Sequence, residues 1–109
     1  MRQSMIYLYH QKGKGFEIMT TIKKLTDHRY SQCHVEIMPN GDVYFFSYVT
    51  LVCSIESGWL SCSGTYSQTT RKQIGWFLKE YAPLMNYHNA KFCYQNDCRI
   101  NIHTGEIGA

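Results

Sequence analysis

The side chains best equipped for chemistry in this sequence are five cysteines, Cys33, Cys53, Cys62, Cys93 and Cys98, and five histidines, His10, His28, His34, His88 and His103. Cys93-x4-Cys98-x4-His103 would supply three zinc ligands, with Cys33 or His34 as the fourth. Zinc sites use tighter cysteine pairs, normally two clear sets of them, so the expectation is no metal. Nucleophilic catalysis needs a base beside the nucleophile, and acid–base hydrolysis needs paired carboxylates. The histidines are scattered over expected loops and element ends. His28, Arg29 and Tyr30 beside Asp27 make a small polar cluster with no nucleophile in reach. The eight acidic residues place no pair on one expected face. The expectation is therefore a protein that is not an enzyme and carries no cofactor.

The stretch "KGKGFEIMTT", residues 12–21, raises a phosphate loop as an alternative, but it lacks the glycine spacing and the Ser or Thr after lysine that such a loop requires. Lysine codons are purine-only and glycine codons begin with two guanines, so Lys12–Gly15 reads back as a purine run resembling a bacterial ribosome-binding site. Phe16, Glu17 and Ile18 then space it from Met19. Translation is expected to begin at Met19, with residues 1–18 an upstream extension or disordered leader and 19–109 a single α+β domain. Arg2, Lys12, Lys14 and Glu17 carry most of the formal +3 charge, so overall basicity is no sign of nucleic-acid binding.

Five cysteines are an odd count, and the apolar run "MIYLY" is too short for a signal-peptide core or a membrane span. Free thiols in a reducing bacterial cytoplasm, with no membrane association, are expected. A chain of 109 residues with 44% hydrophobic and 17% charged residues is one folded domain rather than a disordered segment. Its nine Tyr, five Phe and two Trp favour sheet.

The elements that would position these residues follow from turns and periodicity. "HVEIMPNGDVYFFSY" reads as a hairpin around a two-residue turn at Asn40-Gly41. Pro39 then pairs with Asp42, Ile37 faces Tyr44, and Val35 faces Phe46. "VTLVCSIESGWLSCSGTY" reads as a second hairpin around Ser57-Gly58. Glu56 pairs with Trp59, Ile55 with Leu60, Cys53 with Cys62 and Leu51 with Gly64. That register gathers Val49, Leu51, Cys53, Ile55, Leu60, Cys62 and Tyr66 on an apolar face and leaves a hydroxyl-rich face opposite. Cys53 and Cys62 are then either two small core residues or a cross-strand disulfide pair. "YSQTTRKQIGWFLKEYAP" reads as a helix capped by Ser67 or Thr69, with Ile74, Phe77, Leu78 and Tyr81 as its buried stripe and Pro83 as its stop. "TTIKKLTDHRY" is a short helix or a first strand. "NAKFCYQNDCRINIH" looks like two short strands around Asn96-Asp97. The expected fold class is α+β: an antiparallel β-meander of about four strands, one main α-helix packed on one face, and extra short C-terminal strands.

Two surfaces could recognise a partner. Trp59 at a hairpin tip, Trp76 opposite the helix stripe, Tyr48 and Tyr66 are interface anchors by residue type. The hydroxyl-rich face also suits self-association. The helix entry, with Thr69, Arg71, Lys72 and Lys79, would grip a phosphate in a nucleic-acid-binding module. Against that, the expected open face carries Ser, Thr and Glu56 rather than Arg, Lys and stacked aromatics.

The "SYxT" joint at Ser47–Thr50 and the "GTYSxTTxK" helix entry at Gly64–Lys72 carry a resemblance. Over roughly Met19–Ile107 the chain resembles a family of small uncharacterised proteins from phages and mobile elements of Gram-positive, low-GC bacteria. The resemblance implies no catalytic residues. By analogy of size and origin it implies an inhibitor of a host defence protein, of the anti-CRISPR type, that covers part of a nuclease. The overall expectation is a small non-enzymatic protein that binds a host protein through Trp59, Trp76, Tyr48 and Tyr66. The alternative is a βββα-type nucleic-acid-binding module.

Overall fold

The computed structural model describes residues 4–10, 17–64 and 67–109. Turn chemistry and β-rich runs lay the chain down strand beside strand. These are β1 (Ser4–His10), β2 (Glu17–Lys23), β3 (Cys33–Ile37), β4 (Val43–Ser47), β5 (Thr50–Glu56) and β6 (Trp59–Cys62). Two helices follow, α1 (Gln68–Tyr81) and α2 (Tyr87–Asn96), and then β7 (Arg99–Asn101) and β8 (Ile107–Gly108). All eight strands form one sheet in sequence order, β1 to β8, and every pairing is antiparallel. The α+β meander expected from sequence is therefore present. It is longer than four strands and carries a second helix. The expected boundary after residue 18 falls inside β2, which pairs with β1 from Ser4↔Lys23 to His10↔Glu17.

The β5–β6 hairpin follows local chemistry. Ser57 (φ 52°) and Gly58 (φ 84°) both take left-handed conformations, as the type I′ turn that matches strand twist requires. The pairs Glu56↔Trp59, Ile55↔Leu60 and Cys53↔Cys62 are those expected.

The β3–β4 hairpin is shifted by one residue from expectation. Val35 pairs with Phe45 and Ile37 with Val43. The Gly41 N–H donates to the Met38 carbonyl at 2.9 Å, and the Met38 N–H to the Asp42 carbonyl at 2.9 Å. Only Gly41 (φ 95°) is left-handed in this turn; Asn40 is not. Pro39 is pre-set for the second position of a type I turn, and Gly41 supplies the left-handed residue after it. The loop is therefore three residues long, and Val35, Val43 and Phe45 share the buried face.

A β-bulge separates expectation from structure in β5. Phe45 pairs with Cys53 but Phe46 pairs with Leu51, so Val52 is the extra residue. One inserted residue reverses the alternation beyond it. Val52 turns inward at 3% exposure, and Leu51 turns outward at 43%. Ile55 and Leu60 lie in the core as expected, whereas Leu51 and Val49, both assigned to the apolar face, do not.

Helix α1 starts at its Ser67 cap, whose Oγ accepts from the Thr70 N–H. It ends at Ala82, just before Pro83. Ile74, Phe77 and Leu78 are fully buried and Tyr81 packs at the edge of the same core. Phe77 stacks on Phe45 with ring centres 4.7 Å apart, which fixes the helix over the middle of the sheet. The first half of "NAKFCYQNDCRINIH" is helix rather than strand. Asn86 caps α2 reciprocally with Asn89, Ala90 and Cys93 form its inner face, and Asp97 closes it in the left-handed conformation at φ 50°. A reciprocal cap at one end and an αL stop at the other satisfy orphan backbone groups that a strand would leave to its neighbours. The second half does form strand, as β7.

Candidate protein-binding surface

The two sequence motifs that stood out, Ser47–Thr50 and Gly64–Lys72, meet in space. Ser47 ends β4 and is buried beneath α1. Its hydroxyl donates to Gln73 Oε1 at 2.6 Å, a bond between two buried side chains on a strand and a helix. Thr70 Oγ1 lies 3.4 Å from the same hydroxyl, and 3.1 Å from Ser67 Oγ. The helix cap, the first helical turn and the strand end are therefore one hydroxyl–amide chain. Buried polar groups that satisfy each other in this way fix one geometry, because losing a member strands the rest.

This network positions the β4–β5 turn. Ser47 pairs with Thr50, leaving Tyr48 and Val49 at the tip. The Tyr48 N–H is held by the Gln32 carbonyl at 2.8 Å, and Tyr48 sits at φ 57°. A left-handed tyrosine is disfavoured by about 1–2 kcal/mol relative to an ordinary conformation, so the surrounding structure imposes it. Tyr48 is 60% exposed, Val49 92% and, through the bulge, Leu51 43%. Beside them runs a groove of about 480 Å³ lined by Ser47, Tyr48, Thr50, Leu51, Val52, Ser63, Gly64, Ser67 and Thr70. The groove is hydroxyl-lined and its rim apolar.

The other expected anchors are engaged within the chain. Trp59 is half-buried. Arg99 lies over its ring at 5.1 Å, and its edge fills the space where a side chain on Gly108 would stand, 3.1 Å from an added Cβ. Trp76 packs against the core and stacks on His28 with ring centres 3.7 Å apart and planes 7° apart. Tyr66 lies outside the described residues. Thr69, Arg71, Lys72 and Lys79 are all on the exposed side of α1. The open sheet face nearby presents Glu36, Tyr44, Ser54, Glu56 and Ser61; Tyr44 donates to Glu56 at 2.6 Å. That bond pushes the Tyr44 phenol up to about 12.

Among the described residues the histidines do not gather with the cysteines. His34 stacks on Phe46 and contacts Glu36 at 3.3 Å. His103 is exposed beside Gly58. Among the described residues no group of three or more His, Cys, Asp or Glu is arranged to hold a metal ion. The thiols instead run inward. Cys53 Sγ lies 3.1 Å from Cys62 Sγ, Cys62 reaches Cys93, and Cys93 reaches Cys98. The contact with Cys53 pushes the Cys62 thiol far up, and the contact with Cys62 does the same to Cys93. Burial raises Cys33 and Cys98.

Sequence reasoning singled out Tyr48 and the caps Ser67 and Thr69, but not Ser47, Gln73 or Leu51 as parts of a site. A buried glutamine on the helix stripe was a signal for the first two. Leu51 depends on the bulge, which leaves no local signature.

Fold and surface together define a small α+β protein with an exposed apolar rim beside a polar groove. The chain belongs to a family of unknown function, DUF8033, whose model matches residues 17–98 and so includes the whole groove. No curated protein matches the chain, and no solved structure does. Among the described residues no helix is long and apolar enough to cross a membrane.

Proposed function

We propose that this is a small non-enzymatic binding protein encoded by a phage or mobile element. It acts in the cytoplasm of the host bacterium by covering a surface on a host protein, such as a defence nuclease of the CRISPR type, and thereby inhibiting it. The reading rests on one observation: Tyr48, Val49 and Leu51 are left outside the core on a turn anchored by the buried Ser47–Gln73 hydrogen bond. An aromatic–aliphatic rim held in this way is a pre-organised anchor, and it loses little conformational entropy on docking.

The test compares wild type with the Tyr48→Ser/Leu51→Ser double variant. Each is used to capture partners from the host, and the captured protein is then titrated in purified form. A hot-spot anchor contributes at least about 2 kcal/mol, so the double variant should bind about thirtyfold more weakly. Equal affinity would defeat the reading. Binding of DNA or RNA with a log-linear dependence on salt, weakened by substituting Arg71 and Lys72, would replace it with the nucleic-acid module.

A further inference from the structure

We propose that Cys53 and Cys62 form a modification site, closing reversibly to a cross-strand disulfide in the presence of a low-molecular-weight disulfide. The two residues face each other nine positions apart in sequence, with sulfurs already 3.1 Å apart. The strand geometry suits the bond. The type I′ turn makes Glu56↔Trp59 the hydrogen-bonded closing pair, and the Ser63 N–H donates to the Val52 carbonyl at 3.1 Å. Counting from either end, Cys53↔Cys62 is a non-hydrogen-bonded pair. In such pairs the Cα atoms approach to about 4.5 Å, within the span a disulfide bridges.

Access and selectivity are also present. Cys62 is only half-buried, and both cysteines line a cleft of about 130 Å³ with Leu51, Ser54, Ser61 and Ser63. The Cys62 thiolate attacks one sulfur of the oxidant, forming a mixed disulfide and releasing one small thiolate. Cys53, deprotonated in turn, attacks Cys62 Sγ and releases the second. The two small thiolates take up the two protons the cysteines lose. The protein dithiol is oxidised by two electrons, and the oxidant is reduced to two thiols. The Cys93 Sγ, although close to Cys62, points to the Leu60 carbonyl at 3.5 Å, so the cross-strand partner is favoured over the helix.

The full chain is incubated with oxidised glutathione, remaining thiols are alkylated, and a protease that cuts after glutamate is applied without reductant. Cleavage after Glu36, Glu56 and Glu80 puts Cys53 in peptide 37–56, Cys62 in 57–80, and Cys93 with Cys98 in 81–106. Most of the protein should yield 37–56 joined to 57–80, lighter than their sum by two hydrogens and separated by dithiothreitol. The same link should form in Cys93→Ala, a substitution that keeps the cross-strand pair whole. Three results would overturn the proposal: both peptides recovered as alkylated thiols, 57–80 joined only to 81–106, or glutathione carried on Cys98 alone.

Discussion

The open face of the sheet has two ends, and they are finished differently. At one end Trp59 projects from β6 and the chain returns to cover it with Arg99 and the β8 backbone. At the other, Tyr48, Val49 and Leu51 project beside α1, and nothing among the described residues covers them to the same degree. By residue type Trp59 looked the stronger interface anchor. The difference shows that how much of an open-face aromatic stays on the surface depends on whether later chain closes over it, and that is decided by segments some forty residues away in sequence. The supports differ too: the bare end rests on a buried Ser47–Gln73 hydrogen bond, whereas the covered end rests on short terminal strands.

Truncating each end separates their roles. Trp59→Ala should give the largest loss of stability. Burying a large aromatic fully is worth about 3–5 kcal/mol against alanine; Trp59 is half-buried, so about 2 kcal/mol is expected. The readout is the urea midpoint, and partner binding should persist where the variant is folded. Binding lost with stability intact would move the interface to the Trp59 end. Ser47→Ala is next. It leaves the Gln73 amide oxygen buried without its donor, at a cost of about 1–2 kcal/mol. Replacing Gln73 by Met as well should recover part of that loss, because the orphaned group is then gone. No recovery would mean that the network does not act as a unit.

The covered end and the bare end were also unequally legible. Local rules were sufficient wherever one residue type dictates one backbone state: Ser57-Gly58 for the turn, Ser67 for the cap, Pro83 for the stop. Ile74, Phe77 and Leu78 repeat at helical spacing, so their burial was legible too. The Asn40-Gly41 turn failed because two local preferences compete, and Pro39 as the second turn residue outweighs a left-handed Asn40. Helix α2 was missed because its reciprocal cap uses Asn86 and Asn89 rather than the usual Ser or Thr with Glu. The bulge at Val52 lies in an unbroken apolar run, "LVC", where alternation carries no information. That one inserted residue decides whether Leu51 belongs to the core or to the groove. Tyr48 was legible as a candidate; its Ser47–Gln73 support, linking a strand to a helix 26 residues on, was not.

Tyr48→Gly sharpens the contrast from the other side. Glycine takes φ near 57° without strain, offset by the extra freedom it has when unfolded. Stability should therefore change by less than about 1 kcal/mol, and upward if strain outweighs entropy. Partner affinity should fall even so. A protein that keeps its fold and loses its partner would locate the anchor at this turn. A drop in stability comparable to that of Trp59→Ala would show that Tyr48 belongs to the core and not to the surface.

The smallest effect concerns Tyr44 and Glu56, which sit between the two ends. The Tyr44 hydroxyl donates to Glu56 at 2.6 Å. This bond first, then partial burial and the charges of Glu56 and Asp42, holds the phenol up to about 12, against 10 for an unperturbed tyrosine. The folded state thus binds this proton more tightly than the unfolded chain. Its contribution to stability is complete below pH 10 and is lost as pH rises toward 12, because the unfolded chain ionises first. Tyr44→Phe should lower stability at pH 8, by no more than about 1 kcal/mol because the pair is exposed, and flatten its decline between pH 10 and 12 in urea titrations. Tyr81 provides the comparison, since its phenol is also raised to about 12, chiefly by burial, and its hydroxyl is buried with no hydrogen-bond partner among the described residues. Tyr81→Phe should flatten the same alkaline decline, yet at pH 8 it should gain stability, by about 1 kcal/mol, because a stranded polar group is removed. Equal behaviour of the two variants at pH 8 would mean that the Tyr44–Glu56 bond contributes nothing to holding the middle of the open face.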